Sequence, residues 1–275
     1  MSDEDLRRDP DAESVEVVSR RAPNPGPMTL TGTNSYVLRD GGQSWVVDPG
    51  PRDPAHLASL IRLAMGEGQQ VLGVLVTHRH GDHSDGAGTL RRQLEARSGR
   101  PVKLWAADPS SVPGAHIPPT ELHGDSGLVA DVIAVPGHTA DSVALLVEGG
   151  RLLTGDTVLG GSSTVIAPPD GSLTAYLQSL AILRAMALDG RISSLHPGHG
   201  EPVDSPTEVI AVLEEAIAHR EQRIAQVRAA RAAGVLTLDR LIREVYGAGL
   251  EGKLREAASW NLRATLEHIS AVDGR

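Results

Sequence analysis

Apolar residues in this chain fall into short strand-length runs and longer stretches with helical spacing, and the two kinds alternate. Residues 71–76 (VLGVLV) are continuously apolar, the pattern of a parallel strand buried on both faces. Tyr36-Val37-Leu38 and Trp45-Val46-Val47 flank the turn Asp40-Gly41-Gly42, which predicts a β-hairpin. Further strands are predicted near 15–18, 102–105, 131–135, 142–147, 151–155 and 191–195. Helical spacing covers 54–65 (Leu57, Leu60, Ile61, Ala64), about 85–97 and 173–188. The stretch 22–27 is too rich in proline for a helix or central strand and predicts a rigid loop. Residues 108–127, rich in Pro, Gly and Ser, predict a long loop with His116 and His123 at the surface. The alternation indicates a layered α/β architecture.

At Ser205 the pattern changes. Ser205-Pro206-Thr207-Glu208 reads as a capping box with proline at the first helical position, opening a helix to about 232. Two more helices, near 238–245 and 253–270, complete a tail without strands. The expected organisation is a disordered segment 1–13, a main domain 14–204 and a helical domain 205–275.

Candidate chemistry concentrates after the 71–76 run, in Thr77-His78-Arg79-His80-Gly81-Asp82-His83. His78 and His80 are two residues apart and point to one side of extended backbone, while Gly81 lets the chain turn to bring in Asp82 and His83. Imidazole and carboxylate are the ligands zinc and similar divalent ions take. Four such groups exceed what one open catalytic ion uses, so the spacing hints at two ions. By alternation Arg79 faces away from the ligands, as a solvated or salt-bridged residue.

The pattern His-x-His-x-Asp-His resembles that of the metallo-β-lactamase-fold hydrolases. Asp48 in Val-Val-Asp-Pro-Gly, His138 in Pro-Gly-His-Thr, Asp156 in Leu-Thr-Gly-Asp-Thr and His199 in His-Pro-Gly-His-Gly match the remaining motifs in order. Gly32-Thr33-Asn34-Ser35-Tyr36 and the tail are similar to the β-lactamase-like protein 2 branch, whose mammalian member is an endoribonuclease. The resemblance implies a four-layer αβ/βα sandwich with a small, winged-helix-like C-terminal domain. It further implies one ion on His78, His80 and His138, a second on Asp82, His83 and His199, and Asp156 bridging them. The metals implied are two divalent ions, Zn²⁺ foremost with Mn²⁺ or Fe²⁺ as alternatives, holding a water whose pKa they lower towards about 7. Asp82 is the candidate catalytic residue that orients that water. Asp48 reads either as support for a ligand histidine or as a turn-capping residue. Asn34 and His196 are candidate substrate contacts, each with a purely structural alternative. The branch pattern expects histidine where this chain has Ser142, which weakens the transfer of ribonuclease activity.

Composition narrows the function classes. The absence of cysteine excludes disulfides, thiol catalysis and the lactamase subclasses with a cysteine ligand. Twenty-five acidic against sixteen basic residues precede Ser205, and ten of each follow, so the whole net charge of −9 lies in the first part. That balance opposes indiscriminate binding of long nucleic acids. No apolar stretch approaches the roughly 20 residues of a membrane span, and the acidic N-terminus lacks a secretory h-region, so the expected location is cytoplasmic. The expected activity is metal-dependent hydrolysis of a phosphodiester, such as short single-stranded RNA, or of an ester or thioester. A glyoxalase II-like thioesterase and a nucleic-acid-binding or regulatory protein are the alternatives. Expected partners are thus a small molecule or short oligonucleotide, with Arg220, Arg223 and Arg231 of the tail as a possible guide for an anion or a solvated face.

Overall fold

A computed structural model describes residues 15–274; the segment 1–13 lies outside them. The first sheet runs in spatial order β1 (Glu16–Arg21), β2 (Asn34–Asp40), β3 (Gln43–Val47), β4 (Gln70–Val76), β5 (Lys103–Ala106). The β2–β3 hairpin closes through Gly41-Gly42, with Gly41 at φ +55°. From β3 onward the pairing is parallel, through α1 (Pro54–Ala64) and then α2 (Gly81–Ser84) with α3 (Ala87–Ser98). The second sheet has the order β10 (Ser194–Pro197), β9 (Arg151–Gly155), β8 (Val143–Val147), β7 (Gly127–Ala134), β6 (Glu121–Gly124). Helix α4 (Leu173–Leu188) makes the crossover to β10.

Alternation along the strands assigns the layers. Tyr36, Leu38, Trp45, Val47 and Leu75 face Leu122, Val129, Val143, Leu145 and Leu153 in the core between the sheets. Their neighbours Val37, Val46, Val74 and Val76 face α1 and α3 on the outside. On the second sheet Ala144, Leu146 and Leu152 face α4. This is the four-layer sandwich that the motifs imply.

The tail is three helices, α5 (Pro206–Ala232), α6 (Leu238–Tyr246) and α7 (Gly252–Asp273). Val209 and Leu213 of α5 and Leu262 and Ile269 of α7 belong to the same core as Leu180 of α4 and Leu195 of β10. The change at Ser205 is therefore one of secondary structure, not a break in the core. Among the described residues no strand follows β10, so the tail is helical as its pattern predicts. Ser205 does sit at the N-cap of α5, but its side chain makes no capping hydrogen bond, and Pro206 marks the start instead. The predicted 108–127 loop contains β6, a four-residue edge strand in which only Leu122 is buried.

Candidate metal centre

Every ligand-type residue singled out in the sequence lies just beyond a strand end. Asp48 follows β3, the 78–83 segment follows β4, His138 follows β7, Asp156 follows β9 and His199 follows β10. Three groups of side-chain donors converge there: His78, His80 and His138; His78, His83 and Asp156; Asp82, His83 and His199. Within the first, His80 Nδ1 lies 3.1 Å from His78 Nε2 and 2.9 Å from His138 Nε2. Within the last, His199 Nε2 is 3.3 Å from His83 Nε2 and 3.1 Å from Asp82 Oδ2. Asp156 lies between them, with Oδ1 3.3 Å from His83 and Oδ2 3.4 Å from His199 and 3.7 Å from His138.

The ring protons can be placed from their partners. A carbonyl only accepts, so His138 donates from Nδ1 to Val165 O at 2.6 Å and His199 donates from Nδ1 to Gly32 O at 3.2 Å. His83 donates from Nδ1 to Asp48 Oδ2 at 2.8 Å. The Thr77 hydroxyl gives its proton to Asp48 Oδ2 at 2.7 Å, so it accepts from His78 Nδ1 at 3.1 Å. Each neutral ring then aims an Nε2 lone pair inward. Lone pairs 3.3 Å apart, as in His83 and His199, require a cation between them, either a proton or a metal. Four ligands at the roughly 2.0–2.1 Å bonds of a tetrahedral zinc stand about 3.3 Å from one another. The donor set fits an ion at each end. Asp156 Oδ1, buried and without a hydrogen-bond partner, fits as well.

Without metal, protons must take that place. Burial opposes charge on His199, but its hydrogen bonds to Asp156 and Asp82 outweigh this and raise its pKa from 6.5 to about 9. Burial likewise opposes charge on His83, and the carboxylates of Asp156 and Asp48 raise it well above its ordinary value. For a raised histidine, stability is present in full below the ordinary pKa of 6.5 and is lost as the pH rises through about 9. The chelated protein is therefore expected to show a urea midpoint that falls between pH 7 and pH 10. An unchanged midpoint in chelator across that range would contradict the protonated arrangement.

Several sequence expectations meet a different outcome. Asn34 is buried, with Nδ2 donating to the carbonyls of Pro197 and Gly200 at 3.0 and 2.8 Å and Oδ1 accepting from Arg21 at 3.2 Å. Its side chain clamps the His199 loop. Tyr36 adds a hydrogen bond to Pro197 O at 2.7 Å, and Gly32 O takes the His199 proton, so the Gly32–Tyr36 motif acts as one brace. Gly32 has φ +129°, and a Cβ there would lie 2.2 Å from Ala22 O. His196 packs against Ser194 Oγ at 3.0 Å and the Tyr36 ring and does not border the cavity at the ligand cluster. Asp48 does more than cap a turn: besides His83 and the Thr77 hydroxyl it accepts from Thr77 N–H at 2.7 Å. Arg79 faces Asp141 and Asp108 at 3.2 Å each, in the salt-bridged role expected. Ser142 is buried and pairs with Thr139 Oγ1 at 2.7 Å, closing the turn after His138. His116 and His123 are exposed. Arg220 is buried and Arg223 is spent on Val245 O and Gln226, so neither stands on a solvated face; Arg231 is exposed. Thr77 escaped the sequence reading, although its place directly before the first ligand was a signal.

A sequence profile described as the Metallo-beta-lactamase superfamily matches residues 28–189. The chain belongs to the metallo-beta-lactamase superfamily. It is a metal-dependent hydrolase of that superfamily. Among its relatives is a Beta-lactamase-like protein 2 homolog of Drosophila melanogaster, 31% identical over 214 residues, covering 74% of this chain and 70% of that protein. An Atrochrysone carboxyl ACP thioesterase of Aspergillus fumigatus is 29% identical over 262 residues, covering 93% of this chain and 78% of that protein. In fold the chain is similar to a beta-lactamase domain protein from Burkholderia ambifaria, with a TM-score of 0.75 at 24% identity, covering 94% and 86% of the two chains. Among the described residues no helix of this superfamily member is long and apolar enough to cross a membrane.

Proposed function

We propose that this chain is a dinuclear metal hydrolase that cleaves an acyl thioester or ester with an apolar acyl group. The carrying observation is the wall of the cavity above the ligand cluster. His80, Asp82, His138 and Asp156 border a cavity of about 590 Å³. Its other sides include Met28 and Leu30 from the 22–33 loop, Leu159 and Val165 after β9, and Leu254 and Trp260 of α7. Among the described residues no lysine or arginine lines it. An oligonucleotide presents a phosphate at every step and needs cations or donors along its path. An apolar wall desolvates such a chain without neutralising it, whereas it gains free energy from each methylene of an acyl group. The likeness to a protein named as an acyl carrier protein thioesterase, over nearly the whole chain, supports the same reading.

In this reading His78, His80 and His138 hold one ion, Asp82, His83 and His199 the other, and Asp156 is shared. An all-nitrogen-and-oxygen set rich in imidazole suits zinc first, with manganese or iron as alternatives. The ions supply Lewis acidity and an activated water when bound. The protein's part is orientation. Val165 O, Gly32 O, Thr77 and Asp48 keep the ring protons on the outer nitrogens, and the half-exposed Asp82 faces the cavity, placed to orient the attacking water.

The test combines metal analysis with a substrate series. Purified protein is expected to carry about two divalent ions and to lose activity in chelator. Over a series of acyl thioesters, kcat/KM is expected to rise by about fourfold per added methylene (~0.8 kcal/mol) until the cavity is full. Bis(p-nitrophenyl) phosphate and RNA oligonucleotides serve as the competing class. A preference for those, or no response to acyl length, would overturn the thioester reading.

A further inference from the structure

One buried cation joins the tail helices to the loops that carry the ligands. Arg220 of α5 is only 5% exposed, yet its hydrogen bonds go to neutral oxygens. Nη2 donates to the backbone oxygen of Thr164, Nη1 donates to Asn261 Oδ1 at 3.4 Å, and the guanidinium carbon lies 5.2 Å from the centre of the Tyr176 ring. Burying a guanidinium without a carboxylate is costly, and a hydrophobic side chain of similar length would fill the space without that cost. The hydrogen bonds therefore achieve something that packing alone would not.

They hold residues 164–166 in place. Thr164 Oγ1 donates to the backbone oxygen of Asp156 at 2.8 Å, and Val165 O takes the Nδ1 proton of His138 at 2.6 Å. Ile166 N–H donates to Asn261 Oδ1 at 2.9 Å, so Asn261 of α7 joins the same tie. Ile166 is anchored in the core, but the chain that leads into it from Leu159 is not. Leu159, Ser162, Ser163 and Thr164 border the catalytic cavity on one side and a second cavity of about 310 Å³ against α5 on the other. Thr164 ends a strip with space on both faces, so the hydrogen bonds at Thr164 and Ile166 fix where Val165 O meets the ligand histidine.

We propose that Arg220 is a positioning residue of the metal centre. Together with Asn261 it holds residues 164–166 where they orient His138 and Asp156, so the C-terminal helices complete the ligand set. This rests on the metal reading given above.

The test uses full-length Arg220→Met and Asn261→Ala, with Arg223→Met as the control. Arg223 is on the same helix and faces the Tyr246 ring at 4.8 Å, but it ties α5 to α6 and does not touch residues 164–166. Zinc affinity is measured by chelator competition, and the cobalt(II)-loaded forms are compared by visible absorption. Arg220→Met and Asn261→Ala are expected to weaken the binding of at least one ion by about tenfold, and to shift the cobalt bands. Arg223→Met is expected to lower the melting temperature while leaving both readouts at wild-type values. Wild-type affinity and bands in the first two variants, or an equal loss in Arg223→Met, overturns the inference. If Arg220→Met does not fold, Asn261→Ala against Arg223→Met decides by the same criteria. A wild-type chain that binds no metal overturns the metal reading and this inference with it. Metal binding in the wild type with unaltered variants overturns this inference alone.

Discussion

Asp156→Ala is expected to lower turnover by roughly 10³-fold or more, the scale on which loss of a preorganised charge acts in a closed site. The size follows from position. Asp156 approaches His83 and His199 at 3.3 and 3.4 Å and His138 and His78 at 3.7 and 3.9 Å, so it is the one carboxylate that reaches both histidine groups. Asp82 lies on the His83 and His199 side, at 3.5 and 3.1 Å, and Asp48 meets only the outer nitrogen of His83, at 2.8 Å. In the proposed dinuclear reading, loss of Asp156 removes the carboxylate shared by the two ligand groups and the negative charge that would offset the ions. The fold is expected to survive, because the side chain takes no part in the apolar cores and the backbone oxygen still accepts from Thr164. The measurements are kcat on the preferred ester at saturating zinc, metal stoichiometry, and a thermal melt of the same sample. A variant within tenfold of wild-type kcat would rule out the bridging role, and an unfolded one would show that the carboxylate is needed for assembly.

How much of this centre could be read from sequence depends on the range of the interactions. Ligand-type residues were legible because each stands directly after an apolar run, and strand ends gather at one edge of each sheet. Helices α4 and α5 were legible because each shows sustained helical spacing, and Pro206 marks the start of α5. The role of Asn34 was not, because its partners at Pro197 and Gly200 lie 163 and 166 residues away. The same holds for Arg220, whose partners at Asn261 and Thr164 are 41 and 56 residues distant. An arginine with helical spacing looks the same whether it faces water or a carbonyl. The β6 strand was hidden for a local reason. It is an edge strand of four residues with one buried side chain, too short to outweigh the proline and glycine around it.

Asp48 tests the metal reading from the other side of the ligands. It is 1% exposed and adopts φ +50°, a left-handed conformation that costs a non-glycine residue energy. Its two oxygens accept from Thr77 N–H, the Thr77 hydroxyl and His83 Nδ1, and through Thr77 it governs the proton of His78. Asparagine tolerates the same backbone and has nearly the same shape, so Asp48→Asn isolates the chemistry. Its oxygen can still accept from Thr77 N–H, but its NH₂ group then meets the Thr77 hydroxyl and the His83 Nδ1 proton. Relief requires the hydroxyl to turn and accept, and His83 to move its proton to Nε2. In that tautomer His83 has no inward lone pair, and the Thr77 hydroxyl that accepts from His78 has lost the acceptor for its own proton. Affinity for at least one ion is expected to fall by about 10- to 100-fold, with activity at limiting zinc falling in step. Excess zinc should restore part of the activity, since metal binding can pull the tautomer back. Zinc affinity within threefold of wild type by competition titration would mean that Asp48 only shapes its turn, and that the histidine tautomers are set elsewhere.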